Sequence, residues 1–256
     1  MGNVELNRVC RRFSSASATY DRHAKAQRHI CERLLSLLRQ EHSLHFGRVL
    51  ELGCGSGGFT RLLMSEGQVS EWSLNDLCES WLPELSGLMS GSSWEWLPGN
   101  AEEMEFRGRY DLIVSANALQ WMDDLPGFMG RLSSCMASDG ILLFNLFAPD
   151  NLSEIRSLTG LGLEYPNVEE VRQMLERNYR VLRLEQEHIV LHFPEPLSVL
   201  RHLKYTGVTA TATGIWTKGR QMQFCKDYTA HYSTEDGQVS LTYSPIYIVA
   251  IKKQES

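Results

Sequence analysis

The sequence predicts an α/β fold: a doubly wound, mostly parallel sheet carrying a helical cap. Three observations predict it. Short apolar strands alternate with helical stretches as far as Pro149, one strand runs directly into a glycine-rich turn and a helix, and a basic, partly helical segment interrupts the chain before its last strand. Strands separated by helices pair in parallel through right-handed crossovers.

Taken in order, Ile30, Leu34, Leu35, Leu37 and Leu38 recur at helical spacing between Gln27 and Leu38. Gly47 opens the strand Arg48–Gly53, and Phe59–Met64 continues as a helix. Glu71–Asp76, Ser93–Leu97, Tyr110–Ser115 and Gly140–Asn145 read as strands two to five. Beyond Pro149 a helix near Val168–Asn178 leads to one long strand, Val181–Phe193, and Ser240–Lys253 closes the chain as another. Residues 1–256 are expected to form a single domain, with N-terminal lid helices over 1–40 and a cap insertion at about 197–233. A length of 256 residues suits one such domain.

Composition narrows the class. Hydrophobic residues at 43% and charged residues at 22% exclude a mainly disordered, collagenous or coiled-coil chain. No apolar run approaches the ~20 residues that span a bilayer, and the first eight residues hold no apolar signal core. Six cysteines without a Cys-x-x-Cys pair point to reduced thiols in the cytoplasm rather than to disulfides or zinc. His188 and His192 are four apart, but in a strand-like segment, so no metal site is expected there. The net charge of −6 hides an asymmetry: residues 1–39 carry +5, residues 197–233 carry +4, and the rest carries −15. General nucleic-acid binding does not fit an acidic body; a local acidic partner or an anionic substrate does.

The strongest motif is Glu51-Leu52-Gly53-Cys54-Gly55-Ser56-Gly57-Gly58. Glycines at a strand-to-helix turn bring backbone close to a ligand. Spacing alone satisfies both the dinucleotide pattern, through Gly53, Gly55 and Gly58, and the E-x-G-x-G-x-G turn of S-adenosylmethionine (SAM) methyltransferases. The flanks favour SAM. Glu51 suits the ammonium of a methionine moiety, whereas it would repel a pyrophosphate. Asp76, with Leu77 beside it, ends the second strand where a carboxylate accepts ribose hydroxyls. Gly99-Asn100-Ala101-Glu102 follows the third strand, where an adenine edge would lie, and Asn117-Ala118-Leu119-Gln120-Trp121 follows the fourth, against the methionine portion.

The acceptor can be approached through its activation. Amines and hydroxyls typically need a placed base, and none is evident. A carboxylate is already ionised at neutral pH, so in-line displacement on a sulfonium can proceed largely by positioning.

Four segments carry a closer resemblance. Phe13–Arg28 with its Tyr20-Asp21-Arg22, Leu119-Gln120-Trp121, Leu200–Ala210 with its Arg201-x-Leu203-Lys204-x-x-Gly207, and Leu241-Thr242-Tyr243 resemble the malonyl-acyl carrier protein O-methyltransferases of biotin synthesis, over nearly the whole chain. The resemblance implies a seven-stranded Rossmann-like methyltransferase sheet and SAM-dependent methylation of the free carboxylate of a malonyl thioester on acyl carrier protein. The resulting methyl ester would start pimeloyl synthesis. It also implies that Arg201 grips the carboxylate with Lys204 or Tyr243, and that Tyr20 and Gln27 close over the methionine end of SAM, Tyr20 also facing the acceptor. The remaining cofactor contacts would be Glu51, Gly53, Cys54, Gly55, Asp76, Leu77, Asn100, Ala101, Glu102 and Asn117.

Acyl carrier protein is acidic, so Arg8, Arg11, Arg12, Lys218, Arg220 and Lys226 are candidate docking residues. The chain departs from the family pattern at Asn100, where Asp is usual, at Glu51, where Asp is commoner, and in lacking Leu-Pro after Glu102-Glu103. Two alternatives stay open: a methyltransferase for another small carboxylic acid of the trans-aconitate kind, and a non-catalytic SAM-binding subunit.

Overall fold

The computed structural model describes Cys10, residues 23–206 and residues 217–254. Seven strands form the main sheet in the order β3-β2-β1-β4-β5-β9-β6. They are β1 (His45–Leu52), β2 (Gln68–Asp76), β3 (Trp94–Pro98), β4 (Tyr110–Ser115), β5 (Met136–Phe147), β6 (Tyr179–Gln186) and β9 (Pro245–Lys252). The five strands from β3 to β5 pair in parallel, and β9 runs antiparallel to both of its neighbours. The sheet is therefore the expected doubly wound one, with a single reversed strand.

The period of two along each strand sorts side chains to opposite faces, and the sorting builds two cores. Val49, Leu112, Val114, Leu143 and Val249 face one side with Ile30, Leu34 and Leu38 of α1 (Lys25–Glu41). The same core takes in Phe59 and Leu63 of α2 (Gly58–Glu66) and Leu85 of α3 (Leu82–Leu88). Leu50, Ile113, Leu142, Phe144 and Ile248 face the other side, against Phe128, Met129 and Leu132 of α4 (Leu125–Ser134). After β5 comes α5 (Ser153–Thr159); α6 (Val168–Glu176) then adds Val171 and Leu175 to the second core. Because β1 and β4 are neighbours while their crossovers leave on opposite sides, a crevice opens at their carboxyl ends.

Two expected strands are each divided in the structure. The long strand over Val181–Phe193 breaks at Glu187-His188 into β6 and β7 (Ile189–Phe193). The closing strand breaks at Ser244 into β8 (Val239–Tyr243) and β9. β7 and β8 pair antiparallel as a separate ribbon, while β6 and β9 stay in the main sheet. The expected long strand ran through the polar run Glu185–His188, where the break falls; hydropathy reports burial and not which sheet is joined. Ser244 is fully buried there, its amide donating to Asn151 Oδ1 and its hydroxyl accepting from Gln186. On the ribbon pack α7 (Pro196–Tyr205) and α8 (Lys218–Tyr232), which also pack on each other.

α1 lies across the first core with Leu34 fully buried. Leu34→Ala should lower the unfolding free energy by about 2–5 kcal/mol through lost burial and a residual cavity, read from urea denaturation.

Candidate cofactor and acceptor site

The glycine turn after β1 brings backbone to the crevice with no side chain in the way. Gly53 has φ +67°, and a Cβ there would lie 2.3 Å from that of Ala118, so both conformation and space demand glycine. Asp76, at the end of β2, fixes the turn. Its Oδ2 accepts from the Gly55 amide and its Oδ1 from the Cys78 amide, each at 2.8 Å. Burial raises the Asp76 pKa, while those two amides oppose the rise by favouring the ionised form. Each oxygen keeps a lone pair for a further donor.

Above the turn is a cavity of 440 Å³, the size of small-molecule sites in general. Its walls come from four strand ends and from α1. Gly53, Cys54 and Gly55 follow β1, Asp76 and Leu77 follow β2, Asn100 and Ala101 follow β3, and Asn117 follows β4. Gln27 contributes from α1. The sequence thus anticipated most of the wall.

Glu51 also lines it, fully buried on the same face of β1 as Val49, with its Oε2 accepting from Thr60 Oγ1 of α2 at 2.6 Å. Loss of water pushes its pKa up to about 8, against the lowering effect of Thr60, so burial holds it neutral at pH 7.

Asn100 serves two ends. Its Oδ1 accepts from the Glu102 amide, capping a short 3₁₀ turn, while the residue still faces the cavity. The structure corrects Glu102. Its carboxylate accepts from the amides of Asp123 and Asp124, and it forms no part of the cavity wall. The Asp123 and Asp124 amides claim that side chain, a tertiary contact that local spacing does not show.

Asn117 has φ +61°, a strained conformation for a residue other than glycine. Its amide donates to Oδ1 of Asn145, a fully buried asparagine of β5, at 2.8 Å, which braces the strain. A second cavity, of 70 Å³, begins beyond it and shares Gln27, Asn117 and Trp121 with the first. Tyr243 lines this second cavity, fully buried, and its hydroxyl lies 2.9 Å from His202 Nε2. Burial drives the His202 pKa down to about 4, so the ring is neutral at physiological pH. Burial also raises the pKa of Tyr243, which keeps its proton.

Arg201 and Lys204 are corrected as well. Both are exposed on α7 and line neither cavity. The Arg201 guanidinium pairs with Glu195 at 2.8 Å and donates to Ser198. Helical spacing turns His202 and Leu203 inward and Arg201 and Lys204 outward. Tyr20 lies outside the described residues. Sequence reasoning missed Arg28 and Cys31 on α1, although their spacing from Gln27 places all three on one helical face, and it missed Arg156 and Tyr165 of the second cavity.

The polar atoms left over define what fits. Gln27 Oε1, Asn117 Oδ1 and Gln120 Oε1 are buried acceptors without a donor among the described residues. A site with unmatched acceptors beside a neutral buried acid suits a cationic ligand group. The Asp76 carboxylate at the far end suits a diol. A sulfonium and ammonium joined to a ribose meet these demands, and a pyrophosphate does not.

Fold and site together define a SAM-dependent methyltransferase. Comparison agrees: a family model described as a methyltransferase domain matches residues 20–213. The chain is 43% identical over 249 residues to a malonyl-[acyl-carrier protein] O-methyltransferase of Porphyromonas gingivalis, covering 96% of each chain. It is 38% identical over 252 residues to a protein of that name from Chlorobium luteolum, covering 96% of this chain and 95% of the other. A crystal structure from Bacillus halodurans superposes with a TM-score of 0.65 at 16% identity, over 88% of this chain and 99% of that one, and shows the fold. This chain belongs to the malonyl-[acyl-carrier protein] O-methyltransferase family.

The buried acid makes stability depend on pH. An unfolded Glu51 ionises near its ordinary 4.5, while the folded one holds its proton to about 8. The native state binds more protons across that window, so this group withdraws stability as pH rises from about 4.5 to 8, and no more beyond. Glu51→Gln should therefore gain on the parent progressively between pH 5 and pH 8 and level off above. Urea midpoints of the two proteins, without added SAM, would show this; a constant difference would remove Glu51 as the cause.

Proposed function

We propose that this enzyme transfers the methyl group of SAM to the free carboxylate of a malonyl thioester on acyl carrier protein, giving the methyl ester that starts pimeloyl synthesis for biotin. The observation that carries the substrate is the end-to-end likeness to relatives named for that reaction. The geometry supports it independently. Among the described residues, the wall of the second cavity includes no Asp, Glu or His. Tyr165 and Tyr243, the phenols present, are held protonated by burial. Among the described residues that wall offers no ionisable base, and an acceptor that arrives already ionised, as a carboxylate does, needs none.

When bound, SAM supplies an electrophilic methyl on a sulfonium. Asp76 would hold the ribose, and Asn100, with Ala101, the adenine edge. Glu51, neutral by burial alone, would release its proton to solvent as the ligand enters and pair as a carboxylate with the methionine ammonium. Gln27 and Asn117 form the shared wall between donor and acceptor, where their free oxygens would steady the positive sulfur and methyl. Tyr20 would join Gln27 in closing over the donor. Phe147 and Leu203 of the second cavity exclude water from the reacting pair. This divides the labour between electrostatics and positioning, with no proton to move.

Residues 1–40 and 197–233 would act as the lid and cap of this one domain. On the cap, Lys204, Lys218, Arg220 and Lys226 are exposed, and Lys218, Arg220 and Lys226 would offer positive charge to an acidic carrier protein. Arg8, Arg11 and Arg12, the other docking candidates, lie outside the described residues. No described helix is long and apolar enough to cross a membrane, and six free cysteines fit a reducing cytoplasm.

Mass spectrometry of malonyl carrier protein incubated with enzyme and SAM should show a gain of one methyl that mild base removes. Absence of that gain, with SAM bound, would sink the proposed reaction. Turnover of the carrier-bound substrate should fall steeply between low and moderate ionic strength. Lys218→Glu combined with Lys226→Glu should raise its KM several-fold while leaving that for malonyl-coenzyme A unchanged. Equal effects on both substrates would dissociate these residues from docking.

A further inference from the structure

The outward turn of Arg201 leaves the acceptor's charge without its expected partner, and the second cavity offers another. Among the described residues, Arg156, on α5, is the one of that wall that is charged at neutral pH. It is half-buried and makes no ion pair with any described carboxylate. Glu154, the nearest acid in sequence, accepts from Thr242 and does not line the cavity.

The side chain is also fixed. Arg156 Nη1 donates to the Pro149 carbonyl at 2.6 Å. Its stem packs so closely on Gly162 that a Cβ there would lie 2.7 Å from Arg156 Cγ and 2.9 Å from Cδ. One N–H is thus spent on holding the group in place, and the other donors of the fork have no described partner. A guanidinium pre-set in this way loses little freedom on gripping a planar anion. Tyr165 and Tyr243 share the wall and bring hydroxyl groups, and Phe147 lies against both rings, giving an apolar flank to a short acyl chain.

We infer that Arg156 binds the acceptor carboxylate in the second cavity and selects an anionic acyl group over a neutral one. The inference rests on the proposed carboxyl methylation and adds the residue that recognises the charge. A carboxylate held by one oxygen at Arg156 leaves the other free towards the shared wall of Gln27, Asn117 and Trp121. Arg156 is a specificity residue in this scheme; it takes no proton and forms no bond to the methyl group.

The test compares the parent with Arg156→Met and Arg156→Lys, using malonyl-coenzyme A and malonyl carrier protein as substrates and the corresponding acetyl thioesters as competitive inhibitors. Arg156→Met should raise the KM for both malonyl substrates about 10–100-fold, the value of a hydrogen-bonded charge. Calorimetry should show SAM affinity within about twofold of the parent. The parent should bind malonyl thioesters in preference to acetyl ones, Arg156→Met should erase that preference, and Arg156→Lys should restore part of it. Parent-like KM and preference in Arg156→Met would overturn the inference while leaving the reaction standing. A matched loss of SAM affinity and malonyl binding would overturn it too, by making Arg156 a structural residue. A parent that binds SAM but does not methylate malonyl carrier protein would overturn the reaction itself, and the inference with it.

Discussion

One carboxylate holds the donor end of the site together. Asp76 ties the glycine turn after β1 to the chain leaving β2 by accepting from Gly55 and Cys78. Backbone at a turn of left-handed glycines has no side-chain packing of its own, so its shape must come from hydrogen bonds. The same buried oxygens then present their remaining lone pairs to the cavity. Shaping the turn and presenting a carboxylate to the cavity are thus the work of one side chain, whose solvation was lost when the sheet formed.

The chemistry follows from how little is charged where the two cavities meet. Burial holds Glu51 and His202 neutral and keeps Tyr243 protonated. The junction between the cavities is lined by amides and an indole rather than by acids or bases. Such a setting does little to activate a weak nucleophile. It does serve two reactants that each bring their own charge, a sulfonium on one side and a carboxylate on the other, because water-poor surroundings strengthen attraction between them. Asn117 shows what that costs. A strained backbone is retained at the shared wall, and a fully buried asparagine of β5 braces it.

The corrections have a common cause. Glu102, Arg201 and Lys204 stand in the expected segments, yet each side chain is directed by a partner or a helical face that local pattern does not specify. Glu102 serves the Asp123 and Asp124 amides, and Arg201 is paired with Glu195 on the surface. Arg156 was missed for the converse reason. It sits in a short helix with no motif of its own, and it reaches the cavity only because β5 delivers α5 beside Tyr243 of β8. The division of the last strands at Glu187-His188 and Ser244 belongs here too, since pairing decides which sheet each half joins.

The order of the strands, the glycine turn and the acid at the end of β2 were all local matters, written in spacing and side-chain type. They determined a doubly wound sheet with a nucleotide-like crevice and most of the donor wall, because periodicity and glycine chemistry act over a few neighbouring residues. Tertiary structure decided which cation faces the acceptor, how acidic Glu51 is, and which polar atoms remain unmatched. Those properties depend on burial and on partners brought from distant parts of the chain, and neither quantity exists until the sheet and its helices have packed.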